Sequence, residues 1–238
     1  MTCNLVIDAD SILYTSCYRN QDIDKQHWFA ELAYKDFCST VSNIESAVYK
    51  QYDLQKTDKL ITELVFSPKK TFRNELSESY KSNRKPTLIV GIPELKQMVS
   101  IRLGYTEVVN MEADDIVITR AYEKENVVIA CIDKDIFTHS PVPCFNYKKW
   151  EWTDGLDEET INTNYWIQAL MGDSTDGIKG AKGVGAKTAE KIVYSLDGFD
   201  YNKYVAYFDS EGDAVLSMRL VRLDQYSSDN GLELWNDY

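Results

Sequence analysis

The sequence predicts an α/β fold: a mostly parallel sheet with helices on both faces, followed by a helical region. Three observations predict it. Short apolar runs alternate with helix-length amphipathic stretches up to a hairpin at residues 144–153, and strands separated by helices build parallel sheets. Two of those runs end in aspartate, where ligands of such sheets gather. Beyond Asp157 the pattern is helical, broken by one glycine-rich turn between Gly177 and Gly185.

Asn4-Leu5-Val6-Ile7 reads as a buried strand that delivers Asp8 at its tip. Apolar positions recurring between Trp28 and Tyr52 mark a long helical region, and Leu60–Phe66 a second strand. A basic stretch follows, then a helical pattern from about Pro93 to Leu103. Thr106–Asn110 is rich in β-formers and predicts a third strand ahead of Glu112. Ala113–Lys124 is a helix opening on acids, which suits its dipole. Val127–Ile132 is the strongest strand signal and ends at Asp133; Cys144–Thr153 follows as the hairpin. A boundary near residue 155, at Asp154-Gly155, divides a core of residues 1–154 from a helical region of residues 155–238.

Composition narrows the function. With 44% hydrophobic residues among 238, a sizeable core is available, and no run of about 18 apolar residues predicts a membrane helix. The first residues lack the basic start of a secretory signal. Five scattered cysteines fit reduced cytoplasmic thiols, and with two histidines a structural zinc cage has little material. The net charge of −12 is unlike a nucleic-acid binder, but it is uneven. Residues 68–85 carry six bases (Lys69, Lys70, Arg73, Lys81, Arg84, Lys85) against Glu75 and Glu78, a local +4. Residues 177–191 carry Lys179, Lys182, Lys187 and Lys191 against Glu190, a local +3. Composition alone favours reading each island as a solvated face.

Four acidic clusters stand out: Asp8 with Asp10; Glu112 with Asp114 and Asp115; Asp133 with Asp135; and Asp173 with Asp176. Nine carboxylates converging on one site repel unless cations neutralise them, and hard oxygen ligands suit Mg²⁺ or Mn²⁺. A pair of such ions can activate water and hold a scissile phosphate. Any single Asp-x-Asp pair is also what a helix cap or a solvated turn shows. The stretch Gly180–Thr188 resembles a P-loop but has Ala186 between the second glycine and Lys187, and a helix rather than a strand precedes it. Its glycines instead suit a tight turn that brings backbone N–H groups against a phosphate, with Lys187 and Thr188 opening the next helix; a plain interhelical connector is the other reading.

Taken together, IDADSILY, KTFRNELSESYKSNR, EADDIV, DKDIF and ALMGDSTDGIKGAKGVGAKTA resemble, in order, the blocks of the 5′ nuclease (flap endonuclease-like) superfamily. The chain is similar to standalone bacteriophage 5′–3′ exonucleases and to the 5′ nuclease domain of bacterial DNA polymerase I, over roughly residues 4–192. The resemblance implies a PIN-like nuclease core followed by a helix-three-turn-helix. It implies that Asp8, Glu112, Asp114, Asp115, Asp133, Asp135, Asp173 and Asp176 hold two divalent ions, directly or through water. It makes Arg73 to Lys85 part of a helical arch or clamp over about residues 68–86, with Lys81 and Arg84 (Arg73 behind) meeting the scissile phosphate and Tyr80 available to stack on a base or to pack. Gly183-Val184-Gly185 would grip a duplex backbone, commonly with a bound K⁺.

The implied activity is metal-dependent hydrolysis of DNA from or near a free 5′ end, or of RNA paired to DNA. The protein would act in the cytoplasm (the host's, for a viral one), alongside a separate DNA polymerase or single-strand-binding protein. One departure stands out: the family's aspartate after the second strand is replaced by Ser67-Pro68, and Asp10, where relatives often have a small residue, is the candidate substitute. A DNA-structure-binding protein with weakened catalysis is the alternative this departure leaves open. A PIN-like ribonuclease fits the core but not the glycine turn.

Overall fold

The computed structural model describes residues 1–22, 27–84, 88–195 and 200–236. The chain runs β1 (Thr2–Asp8), α1 (Asp10–Arg19), a two-residue ladder of β2 (Gln21–Asp22) with β3 (His27–Trp28), α2 (Ala30–Gln51), β4 (Lys59–Val65), α3 (Phe72–Leu76) and α4 (Ile92–Arg102). It continues through α5 (Ala113–Glu123), β5 (Val127–Cys131), α6 (Lys134–His139), β6 (Cys144–Asn146), β7 (Glu151–Thr153) and α7 (Glu158–Met171). A small ladder of β8 (Gly172–Asp173) with β9 (Ile178–Lys179) leads to α8 (Ala186–Ser195), α9 (Tyr201–Val205), α10 (Glu211–Val221) and a last ladder of β10 (Tyr226–Ser227) with β11 (Gly231–Leu232).

The central sheet has the order β4-β1-β5-β6-β7, parallel except for the β6–β7 hairpin. Period-two alternation sorts its side chains into two layers. Leu5 and Ile7 of β1, Leu64 of β4 and Val128 and Ala130 of β5 join the cluster under α1, α2 and α4. Val6, Val65, Val127, Ile129 and Cys131 face the other way, against α5 and Ile136 of α6. Both faces are therefore covered, as a parallel sheet requires.

The expected third strand at Thr106–Asn110 is not one. That segment makes isolated bridges only, Val65 with Thr106 and Thr71 with Asn110. Asn110 sits at φ 66, which turns the chain out of the extended state, and Val109 is 82% exposed. Val108 packs against the layer under α5, but the turn at Asn110 ends the segment before it can pair as a ladder.

A third cluster is built by α7, α8, α9 and α10, around Tyr165, Ala169, Ala189, Tyr204 and Met218. The 154/155 boundary falls just after β7, but packing crosses it in both directions: Tyr80 joins the C-terminal cluster, and Leu223, Tyr226 and Leu234 pack in the layer under α5. Gly172 and Gly180 bring the β8 and β9 backbones together, for a Cβ on Gly180 would lie 2.4 Å from the Gly172 nitrogen.

Arg73 of α3 ties the two regions together. Its side chain is 1% exposed, and its two terminal nitrogens donate to the Asp115 carboxylate at 2.7 Å each. Nη1 also donates to Glu112 at 3.3 Å, while Nε and Nη2 donate to the carbonyls of Leu220 (2.9 Å) and Arg222 (2.7 Å). Burial opposes the charge on the guanidinium, but Asp115 and Glu112 outweigh it and hold Arg73 firmly protonated. Removing one member of such a buried pair strands the other. Arg73→Ala is therefore expected to cost about 3–5 kcal/mol in urea-induced unfolding, whereas the exposed Arg84→Ala should cost no more than about 1 kcal/mol; equal losses would contradict this role for Arg73.

Candidate active site

The carboxyl ends of β1 and β5 and the start of α5 open on one groove of about 390 Å³. Asp8 stands at the tip of β1, and Asp10 begins α1 two residues on. Glu112 and Asp133 are the N-caps of α5 and α6; the Asp133 side chain accepts from Asp135 N at 2.8 Å, and Asp8 accepts from Asp10 N at 3.3 Å. Capping and site-building are thus one arrangement: the turns that need an acceptor place a second acidic side chain beside the first. Asp173 and Asp176 arrive from the opposite side, on the turn between β8 and β9, where the Asp173 side chain accepts from Thr175 N at 2.7 Å. Asp8, Asp10, Glu112, Asp114, Asp133, Asp135, Asp173 and Asp176 all line the groove.

Asp115 does not line it. It is fully buried, with both oxygens on Arg73 and one also accepting from Glu112 N at 3.0 Å. The expected metal-ligand role is corrected to that of a structural counterion, and Arg73, consumed by that pair, has no side-chain surface to offer a phosphate. Tyr80 is corrected likewise: 5% exposed, it packs in the C-terminal cluster and its hydroxyl donates to Glu112 at 2.7 Å, so no base can stack on it.

The expected arch is helical only at α3 within the described residues; Ser77–Arg84 continues in turns and lies directly across the groove. Lys81, at φ 54, donates from its backbone N to the Asp176 carbonyl at 2.7 Å and from Nζ to Glu112 at 2.5 Å, and Arg84 pairs with Asp176. Gly177 permits this approach, since a Cβ there would lie 2.2 Å from the Ser79 carbonyl oxygen. Lys69 and Lys70 are exposed ahead of α3, outside the groove lining, and Lys85 falls outside the described residues.

Ser67, in place of an acid, is well used. Its N–H donates to both oxygens of Asp10 (3.2 and 3.3 Å), its hydroxyl accepts from Ala113 N at 2.9 Å, and its carbonyl accepts from Lys96 at 3.0 Å. Asp10 is thereby aimed across the gap toward α5. Sequence reasoning missed three more groove-side residues. Tyr147 binds Ser11 and the Asp8 carbonyl, Gln168 lines the groove beside Asp135, and Lys134 pairs with Asp173 at 3.6 Å. Of these only Lys134, lying between Asp133 and Asp135, carried a sequence signal.

On the far side of the turn, Gly183 and Gly185 are exposed, with open space where a side chain would stand, and Lys182, Lys187 and Thr188 are exposed around them. Val184 anchors the turn in the C-terminal cluster, leaving the N-terminus of α8 open to solvent. Lys179 and Lys182 border a smaller cavity of about 160 Å³ shared with Ser77 and Ser79.

Electrostatics set the groove apart. Burial, with Asp10 and Asp133 adding repulsion against the Asp10 N–H and Lys81, pushes Asp8 up to about 7. Burial and Asp133 push Asp135 up to about 6, and Asp114 is raised well above the carboxylate range by burial, Asp8 and Asp133. Glu112 goes the other way: despite burial, Lys81 and Arg73 hold it low. The donor set is all oxygen and short of positive charge, which fits hard divalent cations. Among the described residues no three of these groups already stand at metal-holding spacing; the acids flank the groove, with Lys81 held on one wall.

Fold and groove define the class, an α/β nuclease. The model of the family described as 5′-3′ exonuclease, N-terminal resolvase-like domain matches residues 4–165, and the chain belongs to that family. A 5′-3′ exonuclease of Buchnera aphidicola (subsp. Schizaphis graminum) is 31% identical over 78% of this chain and 67% of its own length. The flap endonuclease Xni of Pseudoalteromonas translucida is 26% identical over 84% and 78%. A structure of T5 5′-exonuclease with bound zinc ions has the same fold, with a TM-score of 0.63, 20% identity and coverage of 95% of this chain and 91% of that one.

The raised carboxyls carry a linkage consequence. Unfolded, an aspartate titrates near 3.8, whereas folded Asp8 does so at about 7 and Asp135 at about 6. Between those values the folded chain holds protons that the unfolded chain has lost, so these groups lower stability as pH rises from about 4 to about 7. Divalent cations in the groove relieve that penalty where it stands in full. The rise in Tm produced by Mg²⁺ or Mn²⁺ should therefore be larger at pH 8 than at pH 5 by scanning calorimetry; equal rises would place the ions elsewhere.

Proposed function

We propose that the chain is a divalent-metal-dependent 5′–3′ exonuclease and 5′ flap endonuclease that hydrolyses DNA phosphodiesters, and RNA in RNA–DNA hybrids. The observation that carries the proposal is the groove itself: seven aspartates and Glu112 from four chain segments, faced by Lys81 and Arg84. Bound there, two Mg²⁺ or Mn²⁺ ions would activate water and neutralise the scissile phosphate. Asp8, Asp10, Asp114, Asp133 and Asp135, at the sheet end and the helix starts beside it, would hold them, with Asp173 and Asp176 opposite. Lys81 and Arg84 rest on Glu112 and Asp176, and with substrate bound they would exchange those carboxylates for its phosphate and counter charge developing on it. The exposed turn at Gly183-Val184-Gly185, with Lys179, Lys182, Lys187 and Thr188, would hold the duplex backbone without reading sequence, with a K⁺ ion at its carbonyls.

The partner is DNA with a free 5′ end. In the cytoplasm, a separate DNA polymerase or single-strand-binding protein would supply or take up such ends. Residues 1–154 would do the chemistry and residues 155–238 the gripping. Ser67 favours one other reading, a DNA-structure-binding protein of weakened catalysis. Against it stands Asp10, which Ser67 itself aims into the groove.

Cleavage of labelled blunt duplex, 5′-flap and RNA–DNA hybrid substrates, in Mg²⁺, Mn²⁺ and chelator, tests the proposal beside an Asp133→Ala control. Metal-dependent products absent from the control are expected, and tight binding without cleavage in either metal would favour the second reading. In the same assay Asp10→Ala should lose activity as severely as Asp8→Ala, roughly 10²–10³-fold. Wild-type-like cleavage by Asp10→Ala would show that this carboxylate does not substitute for the missing one.

A further inference from the structure

A second depression, of about 560 Å³, lies on the other flank of α1 and touches the acidic groove through Ser11, Thr15 and Ile132, which line both. Its chemistry is the reverse of the groove's. Among its lining residues are two cations, Arg19 and Lys148, and no carboxylate, with the rings of Tyr18 and Trp150 at its rim. Unlike Lys81, Arg84 and Lys134, neither Arg19 nor Lys148 forms an ion pair among the described residues. Tyr18 is 61% exposed and Trp150 58%, so both rings offer open faces beside the two cations.

Trp150 is held in this position at some expense. It sits at φ 62, a left-handed backbone unfavourable for a bulky residue. The turn between β6 and β7 enforces this: Trp150 N donates to the Asn146 carbonyl at 2.7 Å, and the Asn146 side chain accepts from Lys148 N (3.1 Å) and Lys149 N (2.9 Å). The indole stands edge-on to Phe145, with ring centroids 5.0 Å apart. Tyr147 of the same turn reaches the Asp8 carbonyl at 3.4 Å and pairs with Ser11, so the turn is fastened to the strand that carries the first groove carboxylate. Backbone strain maintained by so many bonds at a site's edge is a sign of use.

We propose that this depression binds unpaired nucleotides of the substrate strand next to the scissile phosphate, with a base stacked on Trp150 and phosphates on Lys148 and Arg19. The inference rests on the nuclease reading of the adjoining groove. Aromatic faces accept any base and cations follow the backbone, so the site is sequence-tolerant and specific for single strands. Its volume falls in the range of small-ligand sites, roughly 300–1,000 Å³, room for a nucleotide rather than a duplex.

The test is binding of a 5′-phosphorylated hexathymidylate in chelator, read from quenching of tryptophan fluorescence and, independently, by calorimetry. Trp150→Gly relaxes the left-handed backbone while removing the ring, so it should fold and bind about tenfold more weakly; Trp150→Phe should bind within about twofold of wild type, since it keeps an aromatic face. Lys148→Ala should flatten the dependence of log Kd on log salt by about 0.7, the contribution of one single-strand phosphate contact. The proposal is overturned if the wild type does not bind the oligonucleotide, if Trp150→Gly binds as the wild type does, or if that substitution weakens blunt duplex equally. Because no cleavage occurs in chelator, a chain that binds the oligonucleotide but cuts nothing in Mg²⁺ or Mn²⁺ would refute the nuclease reading alone.

Discussion

The mutual repulsion of carboxylates crowded at the carboxyl end of the central sheet is the constraint around which this molecule is arranged. Asp8 ends β1 and Asp133 stands just past the adjacent β5 as the cap of α6, so local rules of chain geometry concentrate negative charge where solvent screens it least. Two kinds of cation answer it. Arg73 is permanent: it is buried, bidentate on Asp115 and fastened to the carbonyls at the end of α10. Lys81 and Arg84 are provisional, resting on Glu112 and Asp176 from a segment that meets solvent.

That division explains how one basic island serves two purposes. The bases of residues 68–84 look alike in composition, yet Arg73 is spent on architecture and Lys69 and Lys70 stand apart from the groove. Arg73 borders the groove from its buried pair, whereas the two bases carried past Tyr80 meet it with side chains that solvent reaches. Tyr80 makes that possible by burying its ring in the C-terminal cluster while its hydroxyl meets Glu112, which fixes the segment's height above the carboxylates. The cations that face the groove and the joining of the two regions thus depend on the same short stretch.

Much of this was legible in the sequence, because strand tips and helix starts announce themselves. An apolar run ending at Asp8 and another ending near Asp133 place two carboxylates on one sheet end through short-range pattern alone. Asp115, by contrast, stands three residues after the cap position Glu112, where a side chain folds back on the helix start rather than outward. That signal was present but outweighed by the family pattern. The burial of Arg73 and Tyr80 depends on partners from residue 112 to residue 222, and no local pattern encodes such partners. Thr106–Asn110 misled for the opposite reason: its residues favour a strand, but Val65 and Thr71 offer bridging positions too far apart for a ladder.

The contact between Gly172 and Gly180 acts as a fixed ruler. With no side chain between the two backbones, the separation between the acidic groove and the exposed turn before α8 is set by main-chain thickness alone. A side chain at either glycine would have to push the two backbones apart, so the spacing holds only while both positions lack a Cβ. The distance between the acidic groove and the turn is therefore a property of this close backbone approach, independent of the side chains displayed at either end.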